Sequence, residues 1–364
     1  MKKILFVATV PEHFRYFHLP CFRMLQEHGF EVHTACSAPE EFPYTDRQFV
    51  VPMGRNPWDP QNVQGYKQLK KIINDGGYDI VHCHTPMGGT LGRLCSAKAR
   101  KQGTRVIYTA HGFHFYKGAP KLNWLLFFPI EGVLSCMTDV LITINEEDYR
   151  RARRFFHAQK TAYVHGVGCD TSRFYKADAD ERTAMRASLG LSDADTVLVY
   201  VAEQNANKNQ GLLIRAVEAL LPRYPNLKLL LVGPDHIDGA YEAMAKASSA
   251  PVVFTGERHD IPQILSVCDI YTASSLREGL PVNVMEAMSA GLPVLAFNNR
   301  GHRALVQDGK TGLLADTQTE FTDKLEKLLE DAALRSALAR AGKAHIADYD
   351  LQKVLAELGE IYFV

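Results

Sequence analysis

The sequence of 364 residues lacks the features that mark several specialised classes of protein. Lys+Arg and Asp+Glu are both 41, so there is no basic excess of the kind that nucleic-acid binding requires. None of the seven cysteines forms a C-x-x-C pair, and an odd count without a framework favours reduced thiols over zinc or disulfide sites. No apolar run reaches the roughly 20 residues that span a bilayer. We therefore expect a cytoplasmic protein that does not bind nucleic acid.

Two apolar stretches are each open to more than one interpretation. Residues 4–10 follow two lysines but precede no cleavage site, so they predict a β-strand rather than a signal peptide. Residues 122–137 (LNWLLFFPIEGVLSCM) are interrupted by Pro129, Glu131 and Gly132. We expect a buried helix there. The alternative is a helix whose Trp and Phe side chains rest in a membrane interface.

Charge is distributed unevenly along the chain. Residues 1–172 hold 21 Lys+Arg against 15 Asp+Glu, whereas residues 173–364 hold 20 against 26. The first half also holds 10 of the 14 histidines. Two interpretations stay open: chance scatter between domains, or a first half that faces an anionic partner such as a membrane or phosphate.

Short apolar runs alternate with amphipathic stretches and restart after a polar segment at 175–195. The strand-like runs are 4–9, 31–35, 80–82, 105–109, 140–144, 197–201, 228–232, 252–255, 270–273 and 294–297. Runs with little alternation are typical of strands buried on both faces, and strand–helix repetition indicates parallel βαβ units. We predict an α/β protein of two doubly wound domains joined near 168–176. Ligands bind at the carboxyl ends of such strands.

The stretch SSLREGLPVNVMEAMSA, residues 274–290, is the most informative for chemistry. A strand ends before it, and a helix is predicted to begin near Val282–Asn283. The first turn of a helix presents unpaired N–H groups and a positive dipole end, which suit phosphate. Glu278 stands in the loop before the helix, and Glu286 stands about one turn inside it.

This pair of glutamates resembles the E-x-x-x-x-x-x-x-E signature of retaining glycosyltransferases with the GT-B fold, family 4. The resemblance implies two Rossmann-like domains facing a central cleft: 1–170 with a C-terminal helix 347–364 for the acceptor, and 171–346 for the donor. It places Glu278 beside the donor sugar as a catalytic residue and Glu286 at the ribose hydroxyls. The backbone that would cap the diphosphate is that of Leu280, Pro281, Val282 and Asn283.

Two further donor segments agree in order with that family. Residues 202–209 (AEQNANKN) resemble its phosphate clamp, with Lys208 at the motif lysine. Glu203 stands where the family usually has arginine. Some capsule and exopolysaccharide enzymes also have glutamate at this position. We expect no phosphate role for Glu203. The segment around Arg258 resembles the loop over the nucleotide base, which places Arg258 among the donor-binding residues.

Histidines end two predicted neighbouring strands of the first half. His82 and His84 follow one, and His111 and His114 follow the next. The T-x-H-G resemblance places His111 beside the transferred sugar as a catalytic residue. Core histidines are the alternative, favoured for His82 and His84. A histidine cluster can mean metal, but no acidic partner lies at ligand spacing, and the family is metal-independent. No metal is therefore expected.

The resemblance implies a retaining hexosyltransferase without a cofactor. Its donor would be a nucleotide sugar, with UDP as the expected nucleotide. Its acceptor would be a saccharide, such as one linked to a polyprenyl diphosphate in surface polysaccharide synthesis. His13 or Arg15 would contact the acceptor phosphate, and the N-terminal domain would touch the membrane peripherally. The alternatives are a nucleotide-sugar 2-epimerase and a non-catalytic subunit that binds nucleotide sugar.

Overall fold

The computed structural model describes residues 1–363, which divide into two compact units. The first unit comprises Met1–Val167 and the chain from Val354 onward, and the second comprises Gly168–Lys353. Each unit is an open parallel sheet with helices packed on it, as the alternation of strands and helices predicts.

Seven parallel strands form the sheet of the first unit. They are β1 (Lys2–Val7), β2 (Phe30–Cys36), β3 (Arg47–Val50), β4 (Ile80–Cys83), β5 (Arg105–Ala110), β6 (Val140–Thr143) and β7 (Lys160–Tyr163). Their order is β3-β2-β1-β4-β5-β6-β7. The chain winds one way from β1 and the other way from β4, so the topological switch point lies between these two strands.

Helices connect these strands and cover both faces of the sheet. They are α1 (Glu12–Phe17), α2 (Leu19–Glu27), α3 (Gln61–Gly76), α4 (Pro86–Cys95), α5 (Ala97–Lys101), α6 (Lys121–Ser135) and α7 (Glu146–Phe155). Asn145 caps α7 by accepting a hydrogen bond from the Asp148 amide at 2.9 Å.

The second unit repeats this plan with six parallel strands. They are β8 (Thr196–Val201), β9 (Leu227–Val232), β10 (Val252–Phe254), β11 (Ile270–Ala273), β12 (Val294–Phe297) and β13 (Leu313–Ala315). The order β10-β9-β8-β11-β12-β13 puts the switch point between β8 and β11.

Within the residues that the structure describes, nine α-helices belong to this second half of the chain. They are α8 (Ala179–Ser188), α9 (Gln210–Leu220), α10 (Ala240–Ser248), α11 (Ile261–Ser266), α12 (Val282–Ser289), α13 (Arg300–Leu305), α14 (Gln318–Glu330), α15 (Ala332–Ile346) and α16 (Leu351–Tyr362). The last of these begins in the second unit and belongs to the first from Val354 onward.

The strands predicted from apolar runs are confirmed, and the sequence analysis missed three others. The missed strands β3, β7 and β13 all lie at a sheet edge. An edge strand has a neighbour on one side only and needs less apolar sequence. Neither β3 nor β7 contains a fully buried residue, and β13 has only three residues.

The prediction that residues 122–137 form a buried helix is wrong. In α6 only Leu134 and Ser135 are fully buried. The ring side chains pack inward against the core, and Glu131 binds the buried Arg93 at 2.8 Å. The outer face is apolar and exposed, formed by Leu122, Leu125, Leu126, Ile130 and Val133. Within residues 1–363, no helix has both the length and the hydrophobicity needed to cross a membrane.

Candidate functional site

The loops that follow β8 and β11 meet at the switch point of the second sheet. The Ser274 hydroxyl donates to the Lys208 carbonyl at 2.7 Å, and the Leu276 amide donates to the Asn207 carbonyl at 2.8 Å. The Asn207 side chain donates to the Arg277 carbonyl at 3.1 Å. These bonds fix the two loops to each other, so the side chains that they carry have defined positions.

Lys208 and Glu278, which the sequence analysis selected from separate motifs, are in direct contact. The Lys208 ammonium nitrogen lies 2.6 Å from a Glu278 carboxylate oxygen. Their side chains are only 18% and 15% exposed. The Lys208 amide also donates to the Asn205 side chain at 2.9 Å, which holds the loop in a turn. The site therefore presents a positive and a negative group, each already held in place.

Helix α12 begins at Val282, shortly after Glu278 in the chain. The Asn283 side chain donates to the Val201 carbonyl at 2.7 Å and accepts from the Val284 amide at 2.9 Å. This ties the first turn of α12 to the end of β8. The Val284 and Met285 amides bond within this turn. An anionic oxygen would therefore be received by the amides of Val282 and Asn283, which helical geometry leaves without a partner.

A third loop, after β12, lies against Glu278. A Cβ added at Gly301 would lie 2.6 Å from the Glu278 Cβ and 2.9 Å from its carbonyl carbon, so only glycine fits there without a shift. Asn299 fixes this loop by donating to the Ser275 carbonyl at 2.8 Å. The contact of this loop with Glu278 could not be predicted from the sequence.

Glu286 lies one turn inside α12 and is partly buried. Burial raises the pKa of its carboxyl to about 7, and the Arg173 guanidinium opposes this shift only in part. A carboxyl with this pKa changes charge near neutral pH. As an anion it would accept hydrogen bonds from a diol.

Two other predicted or excluded donor residues have different partners. Arg258 forms two hydrogen bonds with Asp260, at 2.9 and 2.6 Å, and thereby lowers the pKa of that carboxyl. Glu203, at the clamp position, is exposed and lies 3.5 Å from the His236 ring. Contact of Arg258 with a nucleotide base stays a prediction.

His111 lies in the first unit, among other histidines. Its Nε2 is 3.1 Å from the His13 Nε2 and 3.1 Å from the His84 Nδ1. His18 Nε2 is in turn 3.1 Å from the His13 Nε2. The sequence analysis did not select His18, although it follows His13 after five residues, because nothing in the sequence shows that the chain turns between α1 and α2.

His82 and Arg15 have local roles in the first unit. His82 is buried and bonds the Tyr362 hydroxyl at 2.7 Å and the Thr109 hydroxyl at 2.8 Å, as expected of a core histidine. Arg15 makes two hydrogen bonds to Glu40, at 2.5 and 2.7 Å. A phosphate that approached Arg15 would therefore compete with a carboxylate.

Comparison with known proteins identifies the family of this fold and site. A family model described as "Glycosyl transferases group 1" matches residues 181–345, and one described as "Glycosyl transferase 4-like" matches residues 3–145. A Bacillus subtilis protein named "Putative glycosyltransferase EpsD" is 44% identical over 366 residues, covering 99% of this chain and 96% of that protein.

A second relative and a solved structure agree with this assignment. The UDP-Gal:alpha-D-GlcNAc-diphosphoundecaprenol alpha-1,3-galactosyltransferase of Escherichia coli is 26% identical over 94% of this chain and 91% of its own. The crystal structure of Anabaena HepE in complex with UDP and glucose has a TM-score of 0.80 at 19% identity, covering 99% of both chains. The fold is thus GT-B, and the chain belongs to the group 1 glycosyltransferases.

Proposed function

We propose that this glycosyltransferase moves a sugar from a UDP-sugar to a saccharide carried on a lipid diphosphate, with retention at the anomeric carbon. The contact between Lys208 and Glu278 at the switch point carries the proposal. Support also comes from the relatives: one has the name EpsD, and the name of another describes transfer from UDP-Gal to a diphosphoundecaprenol-linked sugar. We infer the synthesis of a surface polysaccharide.

The ion pair suggests how the site responds to its donor. Without donor, Glu278 neutralises Lys208 at 2.6 Å. A diphosphate competes for the same ammonium, and the carboxylate released from it can accept hydrogen bonds from sugar hydroxyls. Binding therefore exchanges one contact for two, and each partner is already in place.

Departure of the nucleotide leaves negative charge on its terminal phosphate. Lys208 and the amides of Val282 and Asn283, on a turn that the Asn283 side chain holds in place, are donors that can stabilise this charge. The bond between the anomeric carbon and the phosphate oxygen breaks, and a bond to the acceptor oxygen forms on the same face. The acceptor proton passes to the departing phosphate. This arrangement of charge would need no metal ion at the diphosphate.

The remaining predicted residues complete this proposal. Glu286, as an anion, would accept hydrogen bonds from the ribose hydroxyls. His111 would contact the transferred sugar as a neutral imidazole, since burial lowers its pKa to about 4. The loop with Arg258 would lie over the base.

Membrane contact is a separate part of the proposal and rests on α6. Leu122, Leu125 and Val133 are 61%, 72% and 69% exposed on its outer face. Phe155 of α7 is 48% exposed and contacts Phe128 of α6 at 5.8 Å between ring centroids. Exposed leucines on a helix, beside the arginines that end α7, suit the interface of an anionic membrane. A lipid-linked acceptor would lie in such a membrane.

Membrane contact is tested by sedimentation with anionic vesicles. We expect the wild-type protein to bind, and Leu125→Asp to weaken binding about tenfold or more, because a carboxylate replaces a side chain that would enter the interface. Val63→Asp is the matched control, since Val63 is 62% exposed on α3 of the same unit. Equal binding by both variants would contradict the assignment of this face.

Donor use is tested with a thermal-shift panel of UDP, GDP, ADP and their sugars. At a concentration 100-fold above Kd, the matching nucleotide should add about 2.7 kcal/mol of stability. Transfer of labelled sugar to a lipid-diphosphate acceptor, with a product of retained configuration, completes the test. Binding without transfer to any acceptor would contradict the proposal, and so would isomerisation of the sugar with the nucleotide still attached.

A further inference from the structure

A second cluster of chemical groups lies at the switch point of the first unit. Four histidines converge there, from α1, from the junction of α1 and α2, and from the loops after β4 and β5. We call these side chains, His13, His18, His84 and His111, the histidine nest. One ring nitrogen from each lies within 4.8 Å of all the others.

Hydrogen bonds alone cannot satisfy this arrangement. A neutral imidazole nitrogen carries either one proton or one lone pair, so each takes part in one straight hydrogen bond. The contacts at 3.1 Å run in a series from His18 to His13, to His111 and to His84. Four nitrogens in series can form two straight bonds at most, and the third contact brings two ring nitrogens together without a bond.

The spacing instead fits a shared cation. Zinc–nitrogen distances of about 2.0–2.1 Å in a tetrahedral site put neighbouring nitrogens about 3.3 Å apart. Three of the nitrogen pairs in the nest are 3.1 Å apart, and none exceeds 4.8 Å. Small ring rotations would bring the rest to the tetrahedral distance.

The surroundings favour the metal-binding form of the rings. Burial and the neighbouring rings hold the pKa of His13, His18 and His84 well below the usual value, so these imidazoles are neutral at pH 7 and offer lone pairs. Phe6 stacks on the His84 ring at 5.8 Å between centroids, which gives the nest an apolar wall. An apolar shell around a metal site limits the access of solvent.

We propose that the histidine nest binds a divalent transition metal of the zinc type through Nε2 of His13, His18 and His111 and Nδ1 of His84. The inference does not depend on the donor reaction. One consequence does rest on the proposed function: a metal on the Nε2 of His111 would occupy a ring nitrogen of the side chain assigned to the sugar, so it would inhibit transfer.

Metal content tests this directly, without donor or acceptor. The full chain, purified without a polyhistidine tag and stripped with chelator, is loaded with Zn²⁺, passed through gel filtration and assayed for metal. We expect about one zinc per chain, and at least about tenfold weaker binding in His13→Gln and His18→Gln. His33→Gln is the matched control, because His33 is buried in the same unit and bonds Tyr78 and Glu31.

Loading the wild-type protein with Co²⁺ in place of Zn²⁺ tests the same site without any variant, so the result does not depend on whether the variants fold. A tetrahedral nitrogen site should give the strong visible absorption that octahedral aqueous Co²⁺ lacks. No stoichiometric zinc, no such absorption, or zinc binding unchanged in folded His13→Gln and His18→Gln would each overturn the proposal. Absence of transfer in the metal-free protein, together with intact zinc binding, would count against the proposed function alone.

Discussion

The switch point of the first unit holds four neutral imidazoles, whereas that of the second holds a lysine–glutamate pair beside a helix N-terminus. Both lie between the two central strands of a parallel sheet, β1 and β4 in one and β8 and β11 in the other. The topology therefore determines where functional side chains come together, and the loops after the strands determine which side chains these are.

Burial acts on both switch points, but with opposite consequences for charge. In the first unit it lowers the pKa of the histidines, and in the second it raises the pKa of Glu286. Both shifts favour the uncharged form. The two units should therefore respond to pH in opposite directions.

The largest expected effect is acid destabilisation of the first unit. The folded-state pKa values of His82 and His111 are lowered to about 3 and about 4, against about 6.5 in the unfolded chain. Stability is thus complete above pH 6.5 and is lost as pH falls. At pH 5 each histidine should cost about 2 kcal/mol, and the pair about 4 kcal/mol.

Tryptophan fluorescence can isolate this effect, because both tryptophans, Trp58 and Trp124, lie in the first unit. Urea unfolding of metal-free protein at pH 7.5 and pH 5 should show the loss. His82→Gln should reduce the pH dependence by about half. A urea midpoint that does not change with pH would contradict the predicted electrostatic difference between the two units.

The next effect concerns the charged switch point. We expect Lys208→Ala to lower the transfer rate by about 10² to 10³-fold, because it removes a fixed donor to the leaving group. Lys310→Ala is the control, since Lys310 is exposed in the same unit. Measured rates within threefold of wild type would show that the pair is structural.

A charge exchange sharpens the same point. Lys208→Glu combined with Glu278→Lys keeps a pair of opposite charges at the 2.6 Å contact, so it should recover most of the melting temperature that either single variant loses. It should not recover transfer, because the ammonium then lies on the loop after β11 and no longer on the loop after β8. Recovery of both would mean that the pair acts only through stability.

A smaller effect is expected for Gly301→Ala. The added methyl would meet Glu278 at 2.6 Å, so either the loop or the carboxylate must move. Overpacking of this kind costs about 1–3 kcal/mol, and we expect transfer to fall with it. Gly132→Ala meets nothing within 4 Å and should not destabilise the protein in thermal unfolding.

The smallest effect is the pH dependence of UDP binding. With a pKa of about 7, Glu286 is mostly protonated at pH 6 and mostly ionised at pH 8. Because the carboxylate is the better acceptor for ribose hydroxyls, affinity should rise up to about tenfold over this range. Calorimetry should show a flat profile for Glu286→Gln. A profile that falls with pH would exclude the proposed contact.

The same shift affects stability with the opposite sign to the histidines. The folded-state pKa of Glu286 is raised from 4.5 to about 7, so its stabilising contribution is complete below 4.5 and is lost as pH rises through 7. Acid should therefore lower the stability of the first unit, whereas protonation of Glu286 should raise the stability of the second.

More of the second site than of the first could be predicted from the sequence, and the reason is physical. Lys208 and Glu278 each sit just after a buried strand, and such positions converge in a parallel sheet. His13 and His18 reach the nest through a break between two short helices, which no periodicity shows. Gly301 meets Glu278 from a third loop, a contact that depends on packing between strands.

The face of α6 shows a different limit. Its composition is apolar on all sides, so the sequence predicts burial. Only the packed chain shows that the rings face inward while Leu125 faces outward. The edge strands β3 and β7 were missed for the opposite reason, since their residues are too polar to mark a strand.

Helix α16 has a consequence for synthesis of the protein. Residues of this helix complete the core of the first unit: the Tyr362 hydroxyl bonds His82 at 2.7 Å, and Glu357 bonds His165 at 2.6 Å. A chain emerging from the ribosome releases the whole second unit before Tyr362 is free to reach its partner. The first unit therefore cannot complete its core until the second unit has been synthesised.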